Sequence, residues 1–361
     1  MKDTILKYVK VLGNYSWQEL AFNEVDALIL AVISYNDFTG IVTLTKIVTI
    51  KQAYEAMQKK FNLKSKDRFL NNAKILFKEL ANSSRYGNLK LENYQKINTK
   101  HEQFGAITIR LDSKTIFISF EGTEDNLVGW EEDFRLCHMY PVPAQKSAWE
   151  YLEQQQKGNK YIYIGGHSKG GNLSMAAGMN AHWWVRHKIK KIYNFDGPGF
   201  MIREITSKSY KKIKKKIITY IPEESIIGVL LENTSQVKVI KSYAKKTLAH
   251  DAFTWNCYGP ILTLGTLSDY SYNIKRKVKQ IMASYDNTER KLFVDTFFKI
   301  LYNSGYTEKS ELNKISFNKV KNVLKETHKL TKEEKSILID ILKILGKKED
   351  DDDEKKDSNN K

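Results

Sequence analysis

The chain has 361 residues, 41 % of them apolar, and this composition predicts a folded protein with a buried core. Its two cysteines, Cys137 and Cys257, lie far apart, and no cysteine–histidine cluster has zinc-ligand spacing. We therefore expect no disulfide framework, no metal and no other cofactor.

The net charge of +17 suggests an anionic partner. The lysines are spread along the chain, with one dense cluster at residues 210–217, and no nucleic-acid-binding motif accompanies them. The charge thus favours a weak attraction to an anionic membrane surface over nucleic acid. No signal peptide is evident, and the longest apolar run, residues 27–33, is too short to span a bilayer, so we expect a cytoplasmic location.

Residues 1–100 are predicted to form a helical amino-terminal part packed on the core. Apolar residues recur at helical spacing in two stretches, residues 22–38 and 66–83. Residues 266–346 are predicted to form a helical carboxy-terminal extension, in which Thr331 and Glu334 make a capping box. The charged, low-complexity residues 347–361 are predicted to be a disordered tail.

Residues 101–265 are predicted to form the core that carries the functional site. Residues 103–120 have the pattern of two strands joined by a turn, and further strands are predicted within 160–166, 191–200, 215–222 and 236–244. Helical stretches separate several of these runs. The alternation predicts an α/β protein with a mainly parallel sheet flanked by helices.

Residues 165–174, GGHSKGGNLS, lie between a predicted strand and a predicted helix and contain Gly-x-Ser-x-Gly around Ser168. Their glycine spacing fits neither a Walker phosphate loop nor a dinucleotide fingerprint. It fits a nucleophile elbow, a strained turn that exposes a serine, although an ordinary structural turn is the alternative. On this interpretation Ser168 is the nucleophile, and the backbone N–H of Lys169 donates to the oxyanion.

A nucleophilic serine needs a base and an acid that orients the base. In α/β-hydrolases these follow the serine as acid and then histidine, and His250, just beyond the last predicted strand, fits that order. Asp196 and Glu224 each follow a predicted strand and compete for the acid. We favour Asp196, because the Gly-Pro-Gly turn after it specifies its backbone tightly, and keep Glu224 as the alternative.

Two segments resemble class 3 lipases: residues 118–134, ISFEGTEDNLVGWEEDF, and residues 165–171, GGHSKGG. With the blocks NEVDALIL, FGAITI, FDGPGF, IPEESIIGVLL and HDAFTW, they resemble an uncharacterised bacterial α/β-hydrolase family related to those lipases, over about residues 22–258. The resemblance implies the α/β-hydrolase fold, the pair Ser168 and His250, and Thr123 as an oxyanion-hole residue.

The sequence departs from the lipase pattern in two places. Glu121 stands where the lipases carry an arginine, and no aspartate occupies the late-strand acid position, where Glu224 is nearest. The segment after Thr123 corresponds to a lid in some lipases, but its five acidic residues make it too polar for an oil interface, so we do not expect interfacial activation.

Together these features predict a serine hydrolase that cleaves a carboxylic ester, a thioester or a lipid acyl bond through an acyl-enzyme on Ser168. The alternative is a catalytically inactive hydrolase-fold scaffold or binding module with a basic surface.

Overall fold

The computed structural model describes residues 2–58, 67–313 and 316–347, so the predicted disordered tail lies outside the described residues from residue 348 onward. Eight strands form the main sheet: β1 (Val48–Thr49), β2 (Lys90–Asn98), β3 (Gln103–Arg110), β4 (Thr115–Phe120), β5 (Tyr161–His167), β6 (Ile189–Phe195), β7 (Ile217–Pro222) and β8 (Gln236–Ile240). A small separate hairpin pairs β9 (Cys257–Tyr258) with β10 (Ile261–Leu262).

The strands of the main sheet follow one another in chain order from β1 to β8. The pairs from β1 to β4 are antiparallel, and the pairs from β4 to β8 are parallel. Each parallel pair needs a crossover connection, which a helix provides between β4 and β5, between β5 and β6 and between β6 and β7. The predicted fold class, an α/β-hydrolase-like fold with a mainly parallel sheet flanked by helices, is confirmed.

The helices that precede β5 in the chain are α1 (Ile5–Leu12), α2 (Glu24–Ile33), α3 (Ile50–Gln58), α4 (Arg68–Ala81), α5 (Leu127–Arg135) and α6 (Pro143–Gln155). Those that follow are α7 (Lys169–Asn180), α8 (Trp183–Lys188), α9 (Ile202–Thr206), α10 (Lys208–Ile213), α11 (Asp269–Ser284), α12 (Asn287–Asn303), α13 (Phe317–His328) and α14 (Lys332–Gly346). The predicted capping box is present, since Thr331 and Glu334 exchange hydrogen bonds at the start of α14.

Both faces of the sheet are covered, because alternate side chains of a strand point to opposite faces. In β4, Ile118 joins the apolar cluster that contains α6 and α7, whereas Phe117 joins the cluster that contains α2. Ser119, beside them, donates a hydrogen bond to the Ala31 carbonyl of α2. A strand that is buried on both faces is apolar throughout, which explains why these runs were recognisable in the sequence.

The sequence predicted strands β3 to β8 but missed β2, which lies before residue 101 and pairs with β3. Its alternation is interrupted where the register shifts between Glu92 and Gln95 and where Asn93 has a φ of 49°. The proposed boundary at residue 100 therefore separates β2 from β3, which are paired strands of one sheet. Helices α1 to α4 pack beside this sheet.

Candidate active site

The turn between β5 and α7 has the geometry that a strained serine requires. Ser168 has φ 58° and ψ −133°, a conformation that non-glycine residues rarely adopt. A Cβ at Gly170 would lie 2.1 Å from the Phe120 carbonyl oxygen, and one at Gly166 would lie 2.3 Å from the Gly170 backbone. These contacts explain why glycine flanks the serine at both positions.

Asp196 and His250 come together behind this turn. Asp196 follows β6, is fully buried and also has a positive φ of 51°. The Nδ1 of His250 donates a hydrogen bond to Asp196 Oδ2 over 2.7 Å. The other carboxylate oxygen of Asp196 accepts from the Ser225 hydroxyl and, over 3.0 Å, from the Gly228 N–H, so both oxygens are held. The Nε2 of His250 is thereby the ring nitrogen left free to accept a proton.

Glu224, the alternative acid, lies elsewhere. Its Oε2 accepts a hydrogen bond of 2.6 Å from the backbone N–H of Lys246, at the start of the 3₁₀ helix that ends at His250. In the described part of the chain it makes no hydrogen bond to the histidine ring. The structure thus brings Asp196, and not Glu224, to His250.

The serine hydroxyl and the histidine ring are not joined in this structure. Across residues 2–58, 67–313 and 316–347, no hydrogen bond links Ser168 Oγ to His250. Hydrogen bonds of this kind are often long in unliganded hydrolases and tighten when substrate binds.

His167 is a contributor that the sequence did not reveal. Its buried ring donates from Nε2 to the His250 carbonyl over 2.8 Å and accepts at Nδ1 from the Tyr35 hydroxyl over 3.1 Å. Burial lowers the pKa of His167 well below its usual value, so the ring is neutral, as this pairing requires. Nothing local in the sequence indicates its partners, which are Tyr35 in the turn after α2 and the backbone of His250.

Thr123, the oxyanion-hole residue implied by the family resemblance, follows β4. Its hydroxyl donates a 2.5 Å hydrogen bond to the buried carboxylate of Asp133 in α5. That hydroxyl is therefore engaged, whereas the backbone N–H of Thr123 has no hydrogen-bond partner among the described residues. Burial raises the pKa of Asp133 to about 6, and the nearby Lys169 opposes that rise.

Lys169 has two roles in the local structure. As the first residue of α7 it has a backbone N–H without an intrahelical acceptor, which suits an anion at this helix start. Its side chain, also buried, forms an ion pair with Glu132 and donates to the Gln103 carbonyl over 2.8 Å. Glu132 accepts a further hydrogen bond of 2.8 Å from the Ala144 N–H, so the pair ties α5 and α6 to α7.

The acidic segment after Thr123 is not a solvent-facing lid. Glu131 and Glu132 are buried in α5, where Glu131 binds Arg135 and the Tyr302 hydroxyl. The outer side of α5 is covered by α12, through ring contacts such as that of Trp130 with Phe298 at 5.4 Å. The acidic composition that suggested a polar lid thus reflects internal pairing.

Glu121, the departure from the lipase pattern, is buried beside Thr123. Burial raises its pKa to about 8, and Lys96, 3.5 Å away, only partly offsets this. Its Oε2 has no hydrogen-bond partner among the residues that the structure describes. Burial therefore favours the protonated form of this side chain.

Neither a metal cluster nor a membrane-spanning helix emerges from the described residues. They contain no group of three or more histidine, cysteine or acidic side chains placed to hold a metal ion. None of their helices is both long enough and apolar enough to cross a bilayer.

Comparison with known proteins gives one family match and several distant structural matches. A family model described as Mbeg1-like matches residues 80–299, a range that includes Ser168, Asp196 and His250. This match confirms the family resemblance seen in the sequence. No curated protein matches the chain. Among solved structures, M37 lipase is similar at 12 % identity and TM-score 0.35, covering 58 % of this chain and 70 % of its own. A Rhizomucor miehei lipase–propeptide complex is similar at 13 % identity and TM-score 0.35, and the match covers 59 % of this chain and 66 % of that one.

Proposed function

This chain belongs to the Mbeg1-like family, and from that premise we propose that it is a serine hydrolase that cleaves a carboxylic ester, a thioester or a lipid acyl bond. The observation that carries the proposal is the 2.7 Å hydrogen bond from His250 to the buried Asp196, next to a serine in a strained turn. A buried carboxylate that orients a histidine beside such a serine is the arrangement that activates a serine nucleophile.

In the proposed reaction, Ser168 Oγ attacks the acyl carbon while its proton passes to His250 Nε2. Asp196 stabilises the imidazolium and keeps the ring oriented. The proton then passes to the departing alcohol or thiol, which leaves an acyl-enzyme on Ser168. Water, deprotonated by His250, attacks this ester and releases the acid, and the proton returns to the serine.

The oxyanion that forms at each step needs hydrogen-bond donors. We assign this role to the backbone N–H groups of Thr123 and Lys169, because the Thr123 hydroxyl already donates to Asp133. A donor of this kind contributes roughly 10²–10³ to the rate. His167 acts as a positioning residue, since its hydrogen bond to the His250 carbonyl fixes the segment that carries the base.

A cavity between Phe200, Val229 and helix α11 is the space that we propose for the acyl group, although Ser168, Asp196 and His250 are not among its lining residues. Its volume is about 490 Å³, within the range of about 300–1,000 Å³ that is usual for small-molecule sites. One wall begins at Phe200, four residues after Asp196, and another at Val229, directly after the Gly228 that donates to Asp196. Val278 and Met282 of α11 add apolar side chains that suit a hydrocarbon chain, to a lining that also carries the charged residues Arg203, Glu232, Lys275, Lys279 and Arg290.

The alternative, an inactive scaffold, is favoured by one observation, the missing hydrogen bond between Ser168 and His250. A fluorophosphonate probe separates the two, because it forms a covalent bond only with an activated serine. An active hydrolase is labelled, whereas a folded scaffold stays inert. The cytoplasmic location and the weak attraction to anionic membranes remain predictions from the sequence.

A further inference from the structure

Two neighbouring tryptophans project from the short helix α8. Trp183 is 67 % exposed and Trp184 is 44 % exposed, although tryptophan usually buries its large apolar ring. Trp183 meets Trp184 edge-on, at 5.9 Å between ring centroids. Exposed apolar side chains that adjoin one another indicate an interaction surface more strongly than single ones do.

Basic residues are concentrated in the segment that carries this pair and in a second segment that contacts it. Residues 182–191 and 205–217 contain no acidic residue, and together they carry the cations Arg186, Lys188, Lys190, Lys191, Lys208, Lys211, Lys212, Lys214, Lys215 and Lys216. The two segments are in contact, since Lys216 Nζ donates to the Arg186 carbonyl over 2.6 Å and to the Ile189 carbonyl over 2.7 Å. Glu153 accepts a hydrogen bond from the His182 N–H beside the tryptophan pair.

The topology places these groups at one edge of the sheet. α8 ends directly before β6, and residues 208–216 end directly before β7. A lysine directly precedes the first residue of each of the strands β4, β5, β6 and β7: Lys114, Lys160, Lys188 and Lys216. Parallel strands begin at the same edge, so their lysines add to one basic rim, which we call the tryptophan–lysine edge (residues 182–191 and 208–216 with Lys114 and Lys160).

We propose that the tryptophan–lysine edge is a binding surface for an anionic lipid bilayer. Tryptophan rings favour the headgroup level of a membrane, where the indole is partly apolar and its N–H finds polar partners. Lysines beside them are attracted to acidic phospholipid headgroups. Neither group alone holds a protein firmly, but an apolar anchor and a polybasic surface together form the two signals that peripheral attachment requires.

A single-stranded nucleic acid is the competing partner for such a surface, and the ring geometry argues against it. Bases stack on open aromatic faces. One face of Trp184 is already covered by His182, at 4.5 Å and an interplanar angle of 24°. Insertion into a headgroup layer needs protruding rings, not open faces, and this arrangement satisfies that need.

The surface lies at the opposite edge of the sheet from the candidate active site. β6 begins at Ile189, beside α8, and ends at Phe195, directly before Asp196. Seven residues of strand span on the order of 20 Å. The bound protein therefore directs the site away from the bilayer, and membrane binding does not depend on Ser168.

Co-sedimentation with vesicles tests the proposal. The full chain is mixed with vesicles of phosphatidylcholine alone or with 3 parts in 10 phosphatidylglycerol, at low and high salt. We expect binding to the anionic vesicles that weakens with salt, and at least a tenfold lower partition coefficient for the double variant Trp183→Ser, Trp184→Ser. The control pair Leu44→Ser and Tyr258→Ser, at residues 74 % and 83 % exposed, stays within twofold of wild type.

Charge is tested in the same way. Exchanging Lys211, Lys212, Lys214 and Lys215 for glutamine is expected to reduce binding at least tenfold. The control makes the same change at the exposed Lys321, Lys325, Lys332 and Lys335 of α13 and α14 and stays near wild type. Equal losses in test and control variants would show that only net charge matters, and would overturn the assignment.

Two further readouts complete the test. Lipids brominated near the headgroup should quench tryptophan fluorescence in wild type and much less in the double tryptophan variant. Ser168→Ala should bind vesicles like wild type, so a failure of the proposed catalysis leaves this result intact. Binding to single-stranded RNA that competes with vesicles and is lost in the tryptophan variant would instead assign the edge to nucleic acid.

Discussion

Two residues of the candidate site, Ser168 and Asp196, share an unusual backbone conformation with positive φ. Such conformations cost of order 1–3 kcal/mol each and persist where the surrounding structure holds them. Here Ser168 N–H donates to the Phe195 carbonyl, and Asp196 N–H donates to the Tyr220 carbonyl, so neighbouring strands fix both residues. The strain is therefore located at the serine and at the acid that orients its base.

The identity of the acid is open to a direct test. Asp196→Asn keeps the shape of the side chain but removes the charge that orients and stabilises the protonated His250, so we expect kcat on a soluble ester to fall roughly 10³–10⁴-fold. Glu224→Gln, the matched control, should stay within about threefold of wild type, because Glu224 bonds to the Lys246 backbone instead. A larger loss in the Glu224 variant than in the Asp196 variant would reverse the assignment.

Glu121 predicts a pH dependence of stability. Its pKa is raised by burial to about 8 in the folded state and is near 4.5 in the unfolded chain, so its stabilising effect is complete below pH 4.5 and is lost as pH rises toward 8. Glu121→Gln resembles the protonated form. We expect the variant to match wild type near pH 5 and to exceed it near pH 8 by a few kcal/mol, at ~1.4 kcal/mol per pKa unit.

Urea unfolding across this pH range provides the measurement for Glu121. The exposed Glu55 serves as the control, and Glu55→Gln should follow the wild-type curve. Parallel curves for wild type and Glu121→Gln would contradict a protonated Glu121.

At the scale of elements, the site depends on how α5 is held against α7. The buried pair of Glu132 and Lys169 makes that connection. Glu132→Ala leaves the ammonium buried without its counter-ion, and we expect a loss of about 3–5 kcal/mol in the free energy of unfolding. Glu150→Ala removes an exposed pair with Lys146 and should cost at most about 1 kcal/mol. Comparable losses in the two variants, measured by urea unfolding, would refute a structural role for the buried pair.

The cavity beside α11 makes a prediction about substrate length. Val278→Trp fills part of the space, so kcat/KM for long-chain esters should fall at least tenfold while that for acetate esters stays within about threefold. Val320→Trp, on the exposed face of α13, is the control. An unchanged chain-length profile would exclude this cavity as the acyl site.

Local sequence patterns predicted most elements of the core but few of the contacts between them. Apolar runs marked β3 to β8, and the glycines around Ser168 marked the turn, since both signals lie within a few neighbouring residues. The pairing of His167 with Tyr35, or of Thr123 with Asp133, joins separate elements and left no pattern in the sequence. The choice of Asp196 over Glu224 as the acid rested on its local turn and stays a prediction, which the hydrogen bond from His250 Nδ1 to Asp196 Oδ2 supports.

At the scale of the whole molecule, the parallel strands run in one direction. The residues that precede them and the residues that follow them therefore lie at opposite edges of the sheet. Ser168, Asp196 and Thr123 follow strands and lie at the carboxyl edge, whereas exposed tryptophans and lysines precede strands at the amino edge. The carboxy-terminal helices cover α5 and line the cavity that Phe200 and Val229 border. In this account the high net charge serves attachment at one edge, and the proposed chemistry takes place at the other.

Fluorophosphonate labelling of the full chain, followed by mass spectrometry of the modified peptide, measures whether Ser168 is an activated nucleophile. We predict covalent modification of wild type at Ser168, none in Ser168→Ala, and at least a hundredfold slower labelling in His250→Ala. Both variants should retain the wild-type circular dichroism spectrum. A folded wild-type protein that stays unlabelled would contradict an activated Ser168. Equally fast labelling of wild type and His250→Ala would contradict His250 as its base.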